Sequence, residues 1–435
     1  MKPGPGTRLH SQNETPMITG LRTLGQKTLR FTLRQSHNWK TMLIRRSLQA
    51  VGMNLSEQYN LIYATALGAD PVQLGSLQSA GNAMGALISL PAGWLIDNYS
   101  LKKVFLLGTL MMAASAALYF IAPHWVYLYG AIILYYMGMR VTCTCCTVTC
   151  ANELANEERA TGRGLCRTVS SVVALVTPML GAWVVSISGG INVTGLRPLY
   201  AVQVVIYALL FGFLIVVFID PAIAKGHQEG WHVFADFVDV FRQGHDVMKV
   251  MFMIALIELP WCMVSPFMPL FAHQFKGADE FVLGGIAAAT RVAPLLVAIP
   301  LGRLADSHGR KKLLFLLAPL SNAANLCLIF APGRNMLLLS GLLFGLNSIN
   351  TGIAAAMAAE IVPKGQMGRW IGMISLMRGL ISIPAPLLAG LIWDQIGPEY
   401  VFIAATLIDM VVRLPLLASI RETLHLNMEG YKPVE

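Results

Sequence analysis

One stretch of the chain occurs twice, and this duplication limits the possible folds more than any other feature. The first copy is GWLIDNYSLKK, from Gly93 to Lys103, and the second is GRLADSHGRKK, from Gly302 to Lys312. Each copy lies between two long apolar runs and ends in a pair of lysines. A short, positively charged connection between apolar segments is typical of the cytoplasmic side of a membrane. The sequence therefore predicts a membrane protein with two related halves.

The similarity continues upstream of the two turns. At the same offset of 209 residues, GADPVQLG from Gly68 faces GADEFVLG from Gly277, and 13 of the 36 positions between Gly68 and Lys103 are identical. A fixed internal period determines architecture. Each half is too long for a solenoid repeat, so we expect each half to be a complete helical bundle.

The composition supports a membrane location. Of the 435 residues, 55% are hydrophobic and 13% are charged, compared with about 25% charged in a typical soluble domain. The net charge of +9 comes from basic residues that are spread over tails and short loops, which is not the pattern of a nucleic-acid-binding patch. We expect the lipid bilayer, and no nucleic acid, as a partner.

Twelve segments are long and apolar enough to be membrane spans, which require about 20 such residues each. We predict spans 1 to 12 at residues 43–67, 72–96, 104–123, 125–149, 165–187, 198–219, 250–273, 281–303, 313–332, 335–358, 370–393 and 400–420. The predicted fold class is an all-α membrane protein of two pseudo-symmetric six-helix bundles.

The polar segments divide the chain into five parts. We predict a cytoplasmic tail at 1–40, a first bundle at 41–219, a linker at 220–248, a second bundle at 249–421 and a tail at 422–435. Outside the spans, Lys and Arg are concentrated in the connections that follow even-numbered spans. By the positive-inside rule, both termini are then cytoplasmic, and we expect a multi-pass protein of the plasma membrane.

The paired turns resemble the signature of the major facilitator superfamily, which reads roughly Gly-x-Leu-Ala-Asp-basic-x-Gly-basic-basic. The second copy matches this pattern except at Ser307, whereas the first copy departs from it at Asn98, Ser100 and Leu101. The resemblance implies twelve helices and transport by alternating access.

The resemblance also implies that the turns form a gate on the cytoplasmic side. A carboxylate at Asp97 could accept the free amide hydrogens at the start of span 11, and Asp306 those at the start of span 5. The alternative is that these charges only fix topology. The predicted gating residues are Gly93, Asp97, Lys102, Lys103, Gly302, Asp306, Gly309, Arg310 and Lys311.

A second pair of cytoplasmic loops is also related between the halves. ANELANEERATGRG leads into span 5 and AAEIVPKGQMGRW leads into span 11. Each has an acid at the end of the preceding span, Glu153 or Glu360, and an arginine at the start of the next, Arg163 or Arg369. We predict these four residues as loop charge partners.

Ionisable side chains inside spans indicate function, because each costs at least about 2.5 kcal/mol at the bilayer centre unless it faces protein or water. In this superfamily spans 1, 4, 7 and 10 line the central cavity, which implies a role for Glu57, Arg140 and Glu258. An ion pair between Glu57 and Arg140 that only stabilises the fold is the alternative. The residues predicted for the solute and proton pathway are Glu57, Arg140, Glu258, Arg291, Arg378 and Asp409; Arg413 is also mid-span.

In span 5, Pro178 and Gly181 resemble part of the Gly-Pro-x-x-Gly-Gly element of drug and proton antiporters. Proline and glycine kink a membrane helix and allow a neighbour to approach closely. Ordinary helix packing would explain the same residues.

Enzyme chemistry is not indicated. The sequence has no phosphate-binding Gly-x-x-x-x-Gly-Lys-Ser/Thr loop and no nucleophile constellation. Cys143, Cys146 and Cys150 share a helical face, but no nearby histidine or acid completes a metal site, so we expect neither metal nor cofactor.

The sequence thus predicts a monomeric secondary transporter of a small organic solute. The preferred version is proton-coupled efflux of amphipathic, drug-like compounds. Uptake of an organic anion or another metabolite, by symport or uniport, is the alternative within transport. A membrane receptor or scaffold that no longer transports is the alternative from another class.

Overall fold

A computed structural model describes residues 30–155, 157–220, 245–361 and 367–420, and these residues form helices and no strand. Span 1 consists of His37–Ser56, a 3-10 turn at Glu57–Tyr59, and Asn60–Ala66. Spans 2 to 6 are Pro71–Asn98, Leu101–Ile121, Tyr127–Glu153, Arg159–Ile187 and Val193–Val217.

The second half has the same order of spans but more interruptions. Spans 7 to 9 are His245–Lys276, Glu280–His308 and Arg310–Ile329. Span 10 consists of Arg334–Gly345 and Asn347–Ile361, and span 11 of Met367–Ser382 and Pro384–Gln395. Span 12 consists of Pro398–Leu407, a π-helical segment at Ile408–Arg413, and Leu414–Ser419.

Ten helices in the described part of the chain, those of spans 3 to 12, are long and apolar enough to cross a membrane. Spans 1 and 2 complete the set of twelve, and they pack against spans 5 and 11 respectively. We call the side of the bundle that carries the two turns the motif side, and the opposite side the far side.

Capping residues explain where the duplicated helices begin. Asp70 accepts a hydrogen bond from the backbone N–H of Gln73 at the start of span 2, and Asp279 accepts one from Val282 at the start of span 8. These positions are related by the 209-residue offset. A side-chain oxygen at an N-cap satisfies an amide that the helix leaves free, so the repeat fixes equivalent starting points in both halves.

Four helices, those of spans 1, 5, 6 and 7, begin five or six residues earlier than predicted. Span 1 starts at His37, not at residue 43, because Ser36 caps it by accepting from the N–H of Trp39. Span 7 starts at His245, inside the predicted linker 220–248; the rest of that linker and the two predicted tails lie mostly outside the described residues. Hydropathy missed the starts of spans 1 and 7 because polar residues occupy the motif-side ends of these two helices.

The two turns differ in backbone conformation. Gly309, just before span 9 begins, has a φ of 103°, which lies in the left-handed region that favours glycine. The equivalent Ser100 has a φ of −64° and caps span 3 through the N–H of Lys103. The departure of the first copy from the family pattern is therefore also a departure in turn geometry.

Spans 2 and 11, and spans 5 and 8, form the main contacts between the halves. A Cβ on Gly75 would lie 2.3 Å from the carbonyl oxygen of Pro386, and one on Gly390 would lie 2.4 Å from that of Pro71. A Cβ on Gly284 would lie 2.9 Å from the carbonyl oxygen of Pro178. The halves thus meet backbone to backbone on the far side, whereas Gly93 and Gly302 have no such neighbour within 4 Å on the motif side.

Candidate functional site: the cavity between the halves

Glu57 lies at the interruption of span 1. The helix ends at Ser56, and a 3-10 turn carries Glu57 before the helix resumes at Asn60. Gln203 of span 6 donates to the carbonyl oxygen of Gly52 at 2.7 Å, on the turn just before the break. A 3-10 stretch inside a helix often marks a hinge, and here it positions a carboxylate between the halves.

Glu57 pairs with Arg291 of span 8 across the two halves. The Nη2 atom of Arg291 is 3.0 Å from Oε2 of Glu57 and 3.2 Å from Oδ1 of Asn54. The side chain of Glu57 is 59% exposed and that of Arg291 is 42% exposed, so the pair is accessible although both residues lie inside spans. The alternative ion pair between Glu57 and Arg140 is not formed, because Glu57 pairs with Arg291.

Glu258 and Arg378 form a second, looser pair within the second half. Nε of Arg378, in span 11, is 3.8 Å from Oε2 of Glu258 in span 7. The thiol of Cys262, one turn along span 7, lies 4.0 Å from Oε1 of the same carboxylate. Both charged side chains are about a quarter exposed, at 26% for Glu258 and 28% for Arg378.

Arg140 makes no ion pair with any described residue. It is an exposed residue of span 4, and its Cγ would lie 3.6 Å from a Cβ placed on Gly85 of span 2. Tyr136, one turn earlier, is in electrostatic range of Arg140, Glu57 and Cys262. This face of span 4 is therefore directed toward the region between the halves that contains Glu57 and Cys262.

Aromatic and amide side chains line the cavity between the charges. Gln78 of span 2 donates a hydrogen bond to the hydroxyl of Tyr136. Trp261, next to Cys262, stacks on Phe344 of span 10 with ring centroids 4.5 Å apart and an interplanar angle of 12°. Flat apolar surfaces next to fixed charges suit an amphipathic organic ligand.

Asp409, predicted for the solute pathway, is buried inside the second half. Its carboxylate pairs with Arg413 one turn along span 12 and accepts from Nδ2 of Asn322 in span 9 at 2.6 Å. The side chain of Asp409 is 8% exposed and that of Arg413 is 2% exposed. Their burial favours a role in holding spans 9 and 12 together over contact with solute.

Pro178 and Gly181 form the surface on which two other spans pack. The carbonyl oxygen of Pro178 accepts from Nε2 of Gln58 at 3.3 Å. A Cβ on Gly181 would lie 2.3 Å from the carbonyl oxygen of Leu55. The close approach expected at these residues is present, toward span 1 at Gly181 and toward span 8 at Pro178.

The predicted gate contact at Asp306 is not formed in this conformation. The Asp306 side chain is 67% exposed and pairs at 3.4 Å with Arg310 of its own turn, not with the start of span 5. The side chain of Asp97 lies outside the described part of the chain. The halves are in contact on the far side, whereas the described contact of Asp306 on the motif side is not formed, which agrees with one stage of an alternating cycle.

The first lysine of each turn has a role that sequence reasoning missed. Nζ of Lys102 donates to the carbonyl oxygen of Ile215 at 2.7 Å, near the end of span 6. Nζ of Lys311 donates to those of Ala418 and Ile420 at 2.8 and 2.6 Å, at the end of span 12. A cation at a helix C-terminus satisfies free carbonyls and complements the dipole. The two lysines are related by the 209-residue offset, and this sequence feature could have predicted their shared role. Lys103, the other lysine of the first turn, is exposed.

The loop charges pair differently from the prediction where they are described. Oε1 of Glu153 accepts from Nδ2 of Asn38 at 2.8 Å, and Arg163 is exposed. Glu158 accepts from Gln35 at 2.8 Å. These contacts join the start of span 1 to the loop between spans 4 and 5. The side chains of Glu360 and Arg369 lie outside the described residues.

In the part of the chain that the structure describes, no group of three or more His, Cys, Asp or Glu side chains could hold a metal ion. Cys145, Cys146, Cys150 and Cys166 are buried among apolar neighbours.

Comparison with known proteins identifies the family. The sequence model of the Major Facilitator Superfamily matches at residues 42–275 and 250–423, two ranges that overlap in span 7. The chain belongs to the major facilitator superfamily. Together the two matches cover most of the chain.

Two relatives and one solved structure illustrate the similarity. The chain is 26% identical to the class B tetracycline resistance protein of Escherichia coli, over 40% of this chain and 44% of that protein. It is 24% identical to the multidrug resistance protein MdtG of Dickeya zeae, over 55% of this chain and 58% of the relative. The matches thus span less than two thirds of either relative.

The crystal structure of the nucleoside transporter NupG superposes with a TM-score of 0.70 at 15% identity, covering 91% of this chain and all of NupG. At this identity the likeness concerns the fold. It confirms the predicted all-α membrane architecture of two six-helix bundles.

Proposed function

We propose that this superfamily member is a proton-coupled secondary transporter of small organic solutes. The observation that carries the proposal is the placement of Glu57 and Glu258 in a cavity between the halves, each within reach of an arginine. Binding near the midplane between two bundles is the arrangement that alternating access requires. The proposed orientation places both turns in the cytoplasm and the protein, as a monomer, in the plasma membrane.

The ion pair between Glu57 and Arg291 gives a way for protons to act on the conformation. A proton on Glu57 removes its charge, and Arg291 then loses its ionic partner on the other half. The far-side contact weakens, so the halves can separate there. A proton on Glu258 acts within the second half by releasing Arg378.

Export of amphipathic compounds is the preferred direction, because relatives are named for tetracycline and multidrug resistance. Uptake of an organic anion together with protons is the second candidate. The observation that favours it is the excess of arginine in the cavity, where Arg140, Arg291 and Arg378 face two glutamates.

Flux in proteoliposomes tests this function. Purified protein is reconstituted, a pH gradient of either sign is imposed, and tetracycline movement is followed by fluorescence. Exchange for protons is expected to give accumulation that disappears when nigericin collapses the gradient. Glu57→Gln and Glu258→Gln should each abolish the dependence on the gradient, whereas Glu157→Gln, in an exposed loop, should keep it. Flux that is unchanged when the pH gradient collapses and in both substituted proteins would contradict proton coupling.

A further inference from the structure

The charges in the cavity do not balance. Glu57 pairs with Arg291 and Glu258 lies next to Arg378, which leaves Arg140 without an ionic partner among the described residues. With the glutamates ionised, the five side chains sum to +1. A lone positive charge at this depth requires a compensating group or water.

Arg140 cannot reach the membrane surface. It is the central residue of Tyr127–Glu153, a helix of 27 residues, so each end lies about 20 Å away at 1.5 Å per residue. Snorkelling relieves the cost of a charge only near the ends of a span. Arg140 therefore stays at the midplane, where Tyr136 and Gly85 place it on the cavity side of span 4.

Neighbouring side chains suit an apolar ligand body. Trp261 is half-buried and stacked on Phe344, and Tyr136 is also partly accessible. An arginine makes bidentate, charge-assisted hydrogen bonds with a carboxylate, sulfonate or phosphate. The cavity thus combines one free guanidinium with flat aromatic surfaces.

We propose that the cargo is an organic anion with an apolar, ring-containing body, and that Arg140 binds its acidic group. Arg140 is then the residue that determines charge specificity. This inference rests on the proposed transport function and supports its second candidate, uptake of an organic anion with protons, because each bound proton adds positive charge near the anion.

Binding of three dansyl probes to purified protein in detergent tests the inference without transport. Dansylglycine is an anion, dansylamide is neutral and dansylcadaverine is a cation, while the ring system is the same. We expect dansylglycine to bind most tightly, as measured by the rise in dansyl fluorescence. Arg140→Gln should weaken dansylglycine binding about tenfold or more, the loss expected for a charged hydrogen-bonded contact. The same substitution should change the affinity for dansylamide by no more than about twofold.

Two further variants control this experiment. Arg140→Lys keeps the charge and should retain part of the affinity for dansylglycine. Arg334→Gln removes the same charge from an exposed residue at the start of span 10 and should change nothing. Three outcomes would overturn the inference. Dansylglycine does not bind, the three probes bind equally well, or the Arg140→Gln protein binds dansylglycine as tightly as the unchanged protein does. Selective anion binding without proteoliposome flux would keep it and contradict transport instead.

Discussion

At the scale of single residues, the important contacts are ion pairs whose exposure differs widely. The pair of Glu57 and Arg291 lies in an open cavity, whereas the pair of Asp409 and Arg413 is almost fully buried. Partly exposed pairs contribute about 0 to 1 kcal/mol to stability. Removing one member of a buried pair costs about 3 to 5 kcal/mol, because the remaining charge has no partner. The first pair is therefore suited to switching and the second to holding the fold.

Asp409→Asn is expected to lower the melting temperature in detergent by several degrees. The uncompensated charge of Arg413, which is 2% exposed, is the cause. Asp409→Leu combined with Arg413→Met should recover most of the stability, because apolar residues of similar volume can replace a buried pair. Glu57→Gln is the comparison and should shift the melting temperature little. Normal stability of Asp409→Asn would contradict the structural role assigned to the pair.

Charge reversal tests the contact between the halves. Spin labels at Ala66→Cys and Phe281→Cys, in a cysteine-free background, lie on the far side at the ends of spans 1 and 8. Glu57→Arg or Arg291→Glu alone puts like charges together, so the label distance should lengthen. The double reversal should restore the short distance. Identical distance distributions in all four proteins would show that this pair does not hold the far side closed.

Sequence reasoning found these ionisable residues but not their partners. Each stands out because a charge in an apolar run is rare. Glu57 and Arg291 are 234 positions apart, and their contact depends on how the halves are placed. The sequence also did not predict burial, because the hydropathy of the surrounding residues does not distinguish Glu57 from Asp409. Only the tertiary packing separates a cavity carboxylate from a core carboxylate.

At the scale of helices, the duplicated sequence predicted the elements well and their interruptions poorly. The equivalent caps at Asp70 and Asp279 reflect identical local sequence, so both starts follow from residues a few positions apart. The 3-10 turn at Glu57–Tyr59 and the π-helical segment at Ile408–Arg413 have no such local cause. Side chains from other spans, Gln203 and Asn322, donate hydrogen bonds next to these two interruptions, and hydropathy does not predict such contacts.

Gly75→Val should prevent the far side from closing. Its side chain would occupy space where a Cβ alone comes within 2.3 Å of the carbonyl oxygen of Pro386, so spans 2 and 11 must separate. We expect folded protein with a lengthened label distance between residues 66 and 281. Gly212→Ala, at a position with nothing within 4 Å, is the matched control. An unchanged distance in Gly75→Val would mean that this contact does not limit closure.

At the scale of the whole molecule, the two halves are parallel copies, so equivalent turns must lie on one side of the bilayer. Single cysteines at Asn98 and Ser307 should react with an impermeant maleimide from the same side in oriented vesicles. A cysteine at Arg334 should react only from the other side. Labelling of residues 98 and 307 from opposite sides would contradict the parallel arrangement.

The net charge of the cavity predicts a coupling between cargo and proton. Protonation of Glu57 or Glu258 raises the charge above +1, so an anion binds more tightly, and by linkage the anion raises proton affinity equally. Dansylglycine affinity should therefore increase as pH falls, while dansylamide affinity stays constant. In Glu57→Gln and Glu258→Gln together, the pH dependence should disappear. Weaker dansylglycine binding in acid would reverse the inferred coupling.

The backbone contact at Gly75, Gly390, Pro71 and Pro386 has a consequence for control of the cycle. Carbonyl groups and glycine hydrogens neither titrate nor attract counter-ions. The far-side contact that they make should therefore depend little on pH or on salt concentration. Among the described residues, the ion pair of Glu57 and Arg291 is the salt bridge that joins the halves, so we expect pH to act on far-side opening through this pair and not through the glycine contacts.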